Sequence, residues 1–258
     1  MNPRSDWLDT AQRAADRAEK IIRHYYRSDV EVTLKADRSP VTQADVESEQ
    51  AIRETIRRDY PEHDFLGEET GFDKGTGEGV QWLIDPIDGT KSFVRGYPFV
   101  STQIAVMERD ELTVGLSNAP LFQERAWAIL GQGAWLNGDP ITVSDIDAWN
   151  RATLSTGNIG SLARSSGWNG LGQLVSTCDR IRGYGDFYHY HLLAAGRIDA
   201  VVESDVNILD IAALAVVVEA AGGRITDLNG GPINLQTTTV VATNGLLHDI
   251  VLEHLHGA

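Results

Sequence analysis

The sequence predicts a mixed α/β fold, α+β in its first half and alternating strand and helix in its second. Three observations predict it. Residues 6–27 place Trp7, Ala11, Ala14, Ala15, Ala18, Ile21, Ile22 and Tyr25 near a 3.6-residue period, the pattern of an amphipathic helix. Short apolar segments between Asp64 and Ile129 follow one another without long helices, which favours an antiparallel sheet. Beyond residue 148 strands and helical stretches alternate. The chain has 258 residues, 42% hydrophobic and 23% charged, enough to bury a sizeable core and unlike a disordered chain.

In order along the chain, Val30, Val32 and Leu34 alternate with polar residues as in a half-buried strand. A second helix is expected from about Thr42, burying Val46, Ile52 and Ile56. Strands are expected at Asp64–Leu66, Trp82–Ile84, Phe99–Met107, Leu112–Ser117 and Arg125–Ile129. The stretch Gly71–Gly79 lacks apolar anchors and reads as a mobile loop. A boundary near residue 148 divides the chain into subdomains 1–148 and 149–258. The second carries strands at Thr153–Ser155, Asp199–Val202, Arg224–Thr226 and Thr239–Ala242. Its best helix, Ile211–Ala221, is apolar on most sides and stops at Gly222-Gly223, so it belongs between layers.

The 22 Lys and Arg against 37 Asp and Glu leave a formal net charge of −15. That balance argues against nucleic acid, whose phosphates need clustered basic residues, and against an anionic membrane surface. It leaves room for an anionic substrate, because carboxylates can hold cations that bind phosphate. The one cysteine, Cys178, excludes an internal disulfide and a thiolate zinc cluster, and reads as a small hydrophobe. No apolar stretch has the length of a signal peptide or a membrane span, so a cytoplasmic protein is expected.

The chemistry concentrates in Trp82-Leu83-Ile84-Asp85-Pro86-Ile87-Asp88-Gly89-Thr90. An apolar strand delivers Asp85, Pro86 fixes a turn, and Asp88 returns a second carboxylate to the same neighbourhood. Gly89 and Thr90 can open a helix whose N–H groups favour phosphate. The plainer reading is an Asp-rich turn with Asp88 as a cap. Upstream, Leu66-Gly67-Glu68-Glu69 ends another strand in carboxylates. Downstream, Asn207-Ile208-Leu209-Asp210 puts Asp210 at a helix start, where it could equally be a cap. Carboxylates without His or Cys suit a hard cation such as Mg²⁺ rather than zinc. His189 and His191, two residues apart on a helix, face different ways and make a poor shared metal site.

Gly67-Glu68-Glu69, Asp85-Pro86-Ile87-Asp88-Gly89-Thr90 and Asp210-Ile211-Ala212-Ala213 resemble, in order and spacing, the motifs of the inositol monophosphatase-like family of Mg²⁺-dependent phosphatases. The likeness runs from Lys35…Pro40-Val41-Thr42…Asp45 to Ala242-Thr243-Asn244-Gly245. It implies a layered αβαβα sandwich of the inositol monophosphatase/fructose-1,6-bisphosphatase type. It also implies two or three Mg²⁺ held by Glu68, Asp85, the Ile87 carbonyl, Asp88 and Asp210. Glu68 would hold the metal nearest the attacking water. Thr90 and Asp45 match the pair that orients this water and takes its proton, although Thr42-x-x-Asp45 is also a capping-box pattern. Gly89 and Thr90 N–H groups would grip the phosphate. Lys35 would add positive charge or be a solvated surface lysine. The chain departs from the family at Leu209, where Trp is usual.

For the substrate, Gly89–Gly96, Arg182–Phe187 and Ala242–Asp249 resemble the bacterial histidinol-phosphatase branch. Asp186 and Glu203 fall where family members contact the leaving-group alcohol, and two carboxylates there suit an alcohol bearing an amine. An asparagine matching Asn244 approaches the neighbouring subunit's pocket in that branch, which implies a homodimer. The resemblance thus implies hydrolysis of a small phosphorylated amino alcohol, histidinol phosphate, in histidine biosynthesis. The alternatives are an inositol monophosphatase, a broad sugar-phosphate phosphatase, or a non-catalytic metal-binding regulatory protein.

Overall fold

The computed structural model describes residues 2–28, 32–34, 40–77 and 79–257; Val30 and Lys35 lie outside the described residues. Helix α1 (Pro3–Tyr25) begins and ends earlier than its apolar period suggests. The Asn2 side chain caps it by accepting from the Arg4 N–H at 3.2 Å, and Pro3 sits in the first turn, where a missing N–H is harmless. A hairpin of β1 (Val32–Leu34) and β2 (Pro40–Thr42) leads into α2 (Gln43–Asp59). That helix buries Ala44, Asp45, Ser48, Glu49, Ile52 and Ile56, but Val46 is 50% exposed, contrary to the sequence reading. Val46 lies about 120° round the helix from Ile52 at 3.6 residues per turn, off the buried stripe.

Next come β3 (Asp64–Gly67), β4 (Gly71–Asp73), β5 (Val80–Asp88), α3 (Thr90–Val94), β6 (Ser101–Glu108) and β7 (Glu111–Ala119). They are followed by β8 (Glu124–Ile129), β9 (Gly133–Leu136) and β10 (Asp139–Ile141). These strands from β3 on form one sheet in the order β10-β9-β8-β7-β6-β5-β3-β4. Its pairs are antiparallel, as expected, except the parallel β3–β5 pair. The expected loop at Gly71–Gly79 is corrected at its first three residues. Gly71–Asp73 pairs with β3, Arg53 and Arg57 bind the Asp73 carboxylate, and the Gly75 N–H donates to Asp64 Oδ1 at 2.7 Å.

The remaining elements are β11 (Thr153–Thr156), α4 (Gly167–Thr177), β12 (Arg180–Arg182), α5 (Asp186–Ala194) and β13 (Ala200–Ser204). Then follow α6 (Ile208–Ala220), β14 (Arg224–Thr226), β15 (Thr239–Thr243) and α7 (His248–His256). Their sheet runs β12-β11-β13-β15-β14. The layers are α1 and α2, the eight-stranded sheet, α5 and α6, the five-stranded sheet, and α4 with α7. This is the expected αβαβα sandwich. No helix among the described residues is long and apolar enough to cross a membrane.

Helix α6 explains its own composition. It lies between the sheets and buries Ile208, Leu209, Ile211, Leu214, Val216 and Val217 on all sides. It presses so close to β7 that a Cβ on Gly115 would stand 2.3 Å from the Ala213 carbonyl oxygen. Backbone on both sides cannot yield, so Gly115→Ala is expected to destabilise by about 1–3 kcal/mol, the usual range for overpacking. Denaturant unfolding checks this, and an unchanged midpoint would mean that the helix can retreat.

Candidate active site

The spacing of Asp85 and Asp88 is odd, and in a regular strand they would point to opposite faces. A bulge corrects this. Asp85 pairs with Gln103 and Asp88 with Ser101, so three steps on β5 match two on β6. Both carboxylates therefore reach the same face. The bulge is held by the Thr102 hydroxyl, which donates to the Pro86 carbonyl at 2.9 Å, and by the Ile87 N–H, which donates to Asp85 Oδ1 at 2.9 Å. Gly89 then turns the chain into α3 with φ +90°, and a Cβ there would lie 2.3 Å from the Phe99 carbonyl oxygen. Both facts require glycine.

Three other elements converge on this turn. The parallel pairing of β3 with β5 brings the chain after Gly67 alongside Asp85, and the Glu68 N–H donates to the Ile84 carbonyl at 3.1 Å. Buried Glu49 fastens this corner by accepting from the N–H groups of Glu69 (2.7 Å) and Thr70 (2.9 Å). From α2, Asp45 Oδ2 accepts from the Thr42 N–H (2.8 Å) and hydroxyl (2.6 Å), while its Oδ1 accepts from the Thr90 hydroxyl (3.1 Å). The capping contact and the contact with Thr90 coexist, one on each oxygen. From α6, Asp210 accepts from the Asn207 N–H (2.9 Å) and side-chain amide (2.8 Å). Asn207 is the cap of α6 and Asp210 its capping-box partner, and Asp210 also faces the other carboxylates.

Asp85, Asp88 and Asp210 each offer a carboxylate oxygen, and these atoms lie within 4.8 Å of one another. They open on a cleft of about 320 Å³ that also takes in Glu68, Ile87, Gly89, Thr90 and Asp186. Burial, followed by the charges of Glu68, Asp88 and Asp210, pushes the Asp85 carboxyl well above the usual range. Burial and then the charges of Asp186 and Asp210 do the same to Asp88. Burial raises Asp210 to about 7 and Asp186 to about 6, with neighbouring carboxylates adding to both. Burial also raises Asp45 against its hydrogen bonds. Clustered buried oxygen donors that repel one another, with no His or Cys among them, fit a hard divalent cation.

A stability prediction follows for the metal-free protein. A carboxyl whose folded pKa is raised stabilises the fold at low pH, and that contribution is lost as pH rises through the folded value. For Asp210 the loss falls between the ordinary carboxylate range and pH about 7. His63, His191 and His248, lowered by burial, act in the opposite sense. The Asp210 effect is therefore read as a difference. Asp210→Asn should gain in melting temperature relative to the parent as pH rises from about 5 to 8. A difference that shrinks over this window would contradict the assignment.

Two expected substrate residues lie elsewhere. Glu203 is only 3% exposed, and its oxygens accept from the Asn158 N–H (3.1 Å), the Tyr190 hydroxyl (2.9 Å) and His189 Nε2 (3.1 Å). It stands behind the cleft rather than on its surface. Asn244 is also buried, its amide donating to Ser144 Oγ (3.1 Å) and the Ile146 carbonyl (2.7 Å) of its own chain. Both donors are spent within the subunit. His189 and His191 do face apart, His191 meeting Ser117 and Glu124. Sequence reasoning missed Asn158, Asp205 and Asn207 in the cleft, and Glu49 behind it. Glu49 was findable, four residues after Asp45 on one helix face.

Residues 4–258 match the family described as the inositol monophosphatase family. The chain belongs to this family. A curated relative, histidinol-phosphatase of Mycobacterium tuberculosis, is 41% identical over 97% of this chain and 98% of its own. Among solved structures, the extragenic suppressor protein suhB of Bartonella henselae superposes with TM-score 0.91 at 26% identity. It covers 98% of this chain and 99% of that one. The IMPase of Thermotoga maritima gives 0.86 at 32%, covering 97% of each chain. As a member of the inositol monophosphatase family the protein is a phosphoric monoester hydrolase, and the family is metal-dependent, typically on Mg²⁺.

Proposed function

We propose that the protein hydrolyses L-histidinol phosphate to L-histidinol and phosphate in histidine biosynthesis, with two or three Mg²⁺ per site. The observation that carries the reading is Asp186, a carboxylate set in the same cleft as the Asp85–Asp88–Asp210 trio. Glu68, Asp85, the Ile87 carbonyl, Asp88 and Asp210 would hold the cations. Bound there, Mg²⁺ would neutralise phosphate charge, acidify a water and stabilise the leaving alkoxide. The Gly89 and Thr90 N–H groups would bind the phosphoryl oxygens and fix its direction. The Thr90 hydroxyl and Asp45, already in contact, would orient the attacking water, and Asp45 would take its proton. Burial raises its pKa above the ordinary carboxylate value, which makes it a stronger base.

Asp186 would pair with the ammonium group of the alcohol, and Glu203 would support it from behind. A role for Asn244 at a partner's pocket would need a homodimer, with its internal hydrogen bonds exchanged. The similarity to a histidinol-phosphatase supports this substrate, and the similarity to an IMPase supports a neutral polyol instead.

The test uses Asp186→Asn with histidinol phosphate and with an aryl phosphate that lacks an amine. A charge-assisted hydrogen bond contributes roughly 1.5–3 kcal/mol, so kcat/KM should fall about 10- to 100-fold for the amine substrate alone. Equal losses on both substrates would reject amine recognition. Preference for inositol phosphate would favour the polyol reading, and no turnover of any monoester would favour a non-catalytic role.

A further inference from the structure

Strand β6 opens with Ser101, Thr102 and Gln103, three consecutive polar residues with no exposed surface. Such residues are rarely buried without a task. Thr102 has one at the β5 bulge. Ser101 and Gln103 lie on the other face, the one that carries Asp85 and Asp88. Gln103 Nε2 donates to Ser101 Oγ at 2.8 Å, and the Ser101 hydroxyl donates to Asp88 Oδ2 at 3.1 Å. Gln103 Oε1 is buried and has no hydrogen-bond partner among the described residues.

That unpaired oxygen has a reason. With the amide turned over, Oε1 would face Ser101 and compete with Asp88 for the single hydroxyl proton. The amide nitrogen would then be the orphan. The observed orientation leaves the Ser101 hydroxyl to donate to Asp88, so the fold carries an unfavourable buried acceptor to hold one carboxylate in place.

We propose that Ser101 and Gln103 are positioning residues for the divalent cation: Gln103 turns the Ser101 hydroxyl toward Asp88, and Ser101 fixes that carboxylate beside Asp85 and Asp210. The role rests on the metal reading of the acidic trio. Hydrogen bonds to ligating carboxylates commonly set affinity in this way.

Mg²⁺ binding to the chelator-stripped protein, followed by calorimetry, reads the effect without turnover. Ser101→Ala and Gln103→Met are each expected to weaken binding roughly 10- to 100-fold. Ser101→Thr keeps the hydroxyl and should bind nearly as the parent does. The double variant should bind no more weakly than Ser101→Ala alone, because Gln103 acts through that hydroxyl. Thermal unfolding without metal identifies a variant that fails to fold. Should Gln103→Met be one, the Ser101→Ala and Ser101→Thr comparison decides. Unchanged affinity in Ser101→Ala, or losses that add fully in the double variant, would overturn the proposal. A parent protein that binds no Mg²⁺ would overturn the metal reading itself, and the positioning role with it.

Discussion

Asp88→Asn is expected to lower kcat/KM by roughly 10³-fold or more, since even one lost electrostatic contact to a transition state can cost that much. The change removes a charge and keeps the shape. Asp88 sits 9% exposed on a fixed bulge, with Ser101 donating to its Oδ2, and an asparagine oxygen could accept the same bond. Folding should therefore survive. In chelator the variant should melt at or above the parent temperature, because burial and the Asp186 and Asp210 charges already disfavour an ionised Asp88. Excess Mg²⁺ should raise the parent's melting temperature and shift the variant's much less, as binding to the folded state alone requires. Activity assays and paired melts with and without Mg²⁺ check both halves. Near-normal turnover in Asp88→Asn would remove Asp88 from the metal site.

Thr90→Ala carries the second large effect. Thr90 Oγ1 lies 3.1 Å from Asp45 Oδ1 and 3.1 Å from the Ile87 carbonyl, between an expected proton acceptor and an expected ligand. Its hydroxyl would be used chiefly in the transition state, when water is being aligned and deprotonated. Loss should fall on kcat, by roughly 10²-fold or more on the scale of general-base catalysis, with KM little changed. The remaining backbone N–H groups would still bind phosphate. Steady-state kinetics with one substrate distinguish the cases. A raised KM with unchanged kcat would make Thr90 a simple phosphate contact.

The parts of this protein that were legible in its sequence are those where chemistry and local rules coincide. Asp85-Pro86-Ile87-Asp88-Gly89-Thr90 reads as paired carboxylates followed by a phosphate-friendly turn, and the bulge supplies the reason for its spacing. Asp210 was readable as part of a helix start, and it lies in the capping box of Asn207 with its carboxylate beside those of Asp85 and Asp88. The buried all-apolar α6 correctly announced a layer between sheets. Short strands were harder. Gly71–Asp73 has no apolar period, and besides its pairing with β3 it is tied to Arg53 and Arg57, which are distant in sequence.

The supporting polar groups were illegible for a similar reason. Nothing near Glu203 in sequence announces that Asn158, His189 and Tyr190 occupy its oxygens. Val46 is apolar but stands off the stripe set by Ala44, Ser48, Ile52 and Ile56, which its residue type alone does not reveal. Ser101 and Gln103 sit inside a strand that reads as apolar, and their meaning appears only beside Asp88.

The most direct test is phosphate release from L-histidinol phosphate by protein stripped of metal, measured as Mg²⁺ is titrated back. No turnover in chelator and a saturable return with Mg²⁺, absent in Asp88→Asn, is the predicted result. Equal turnover with and without Mg²⁺, or no phosphate released at saturating Mg²⁺, would contradict it.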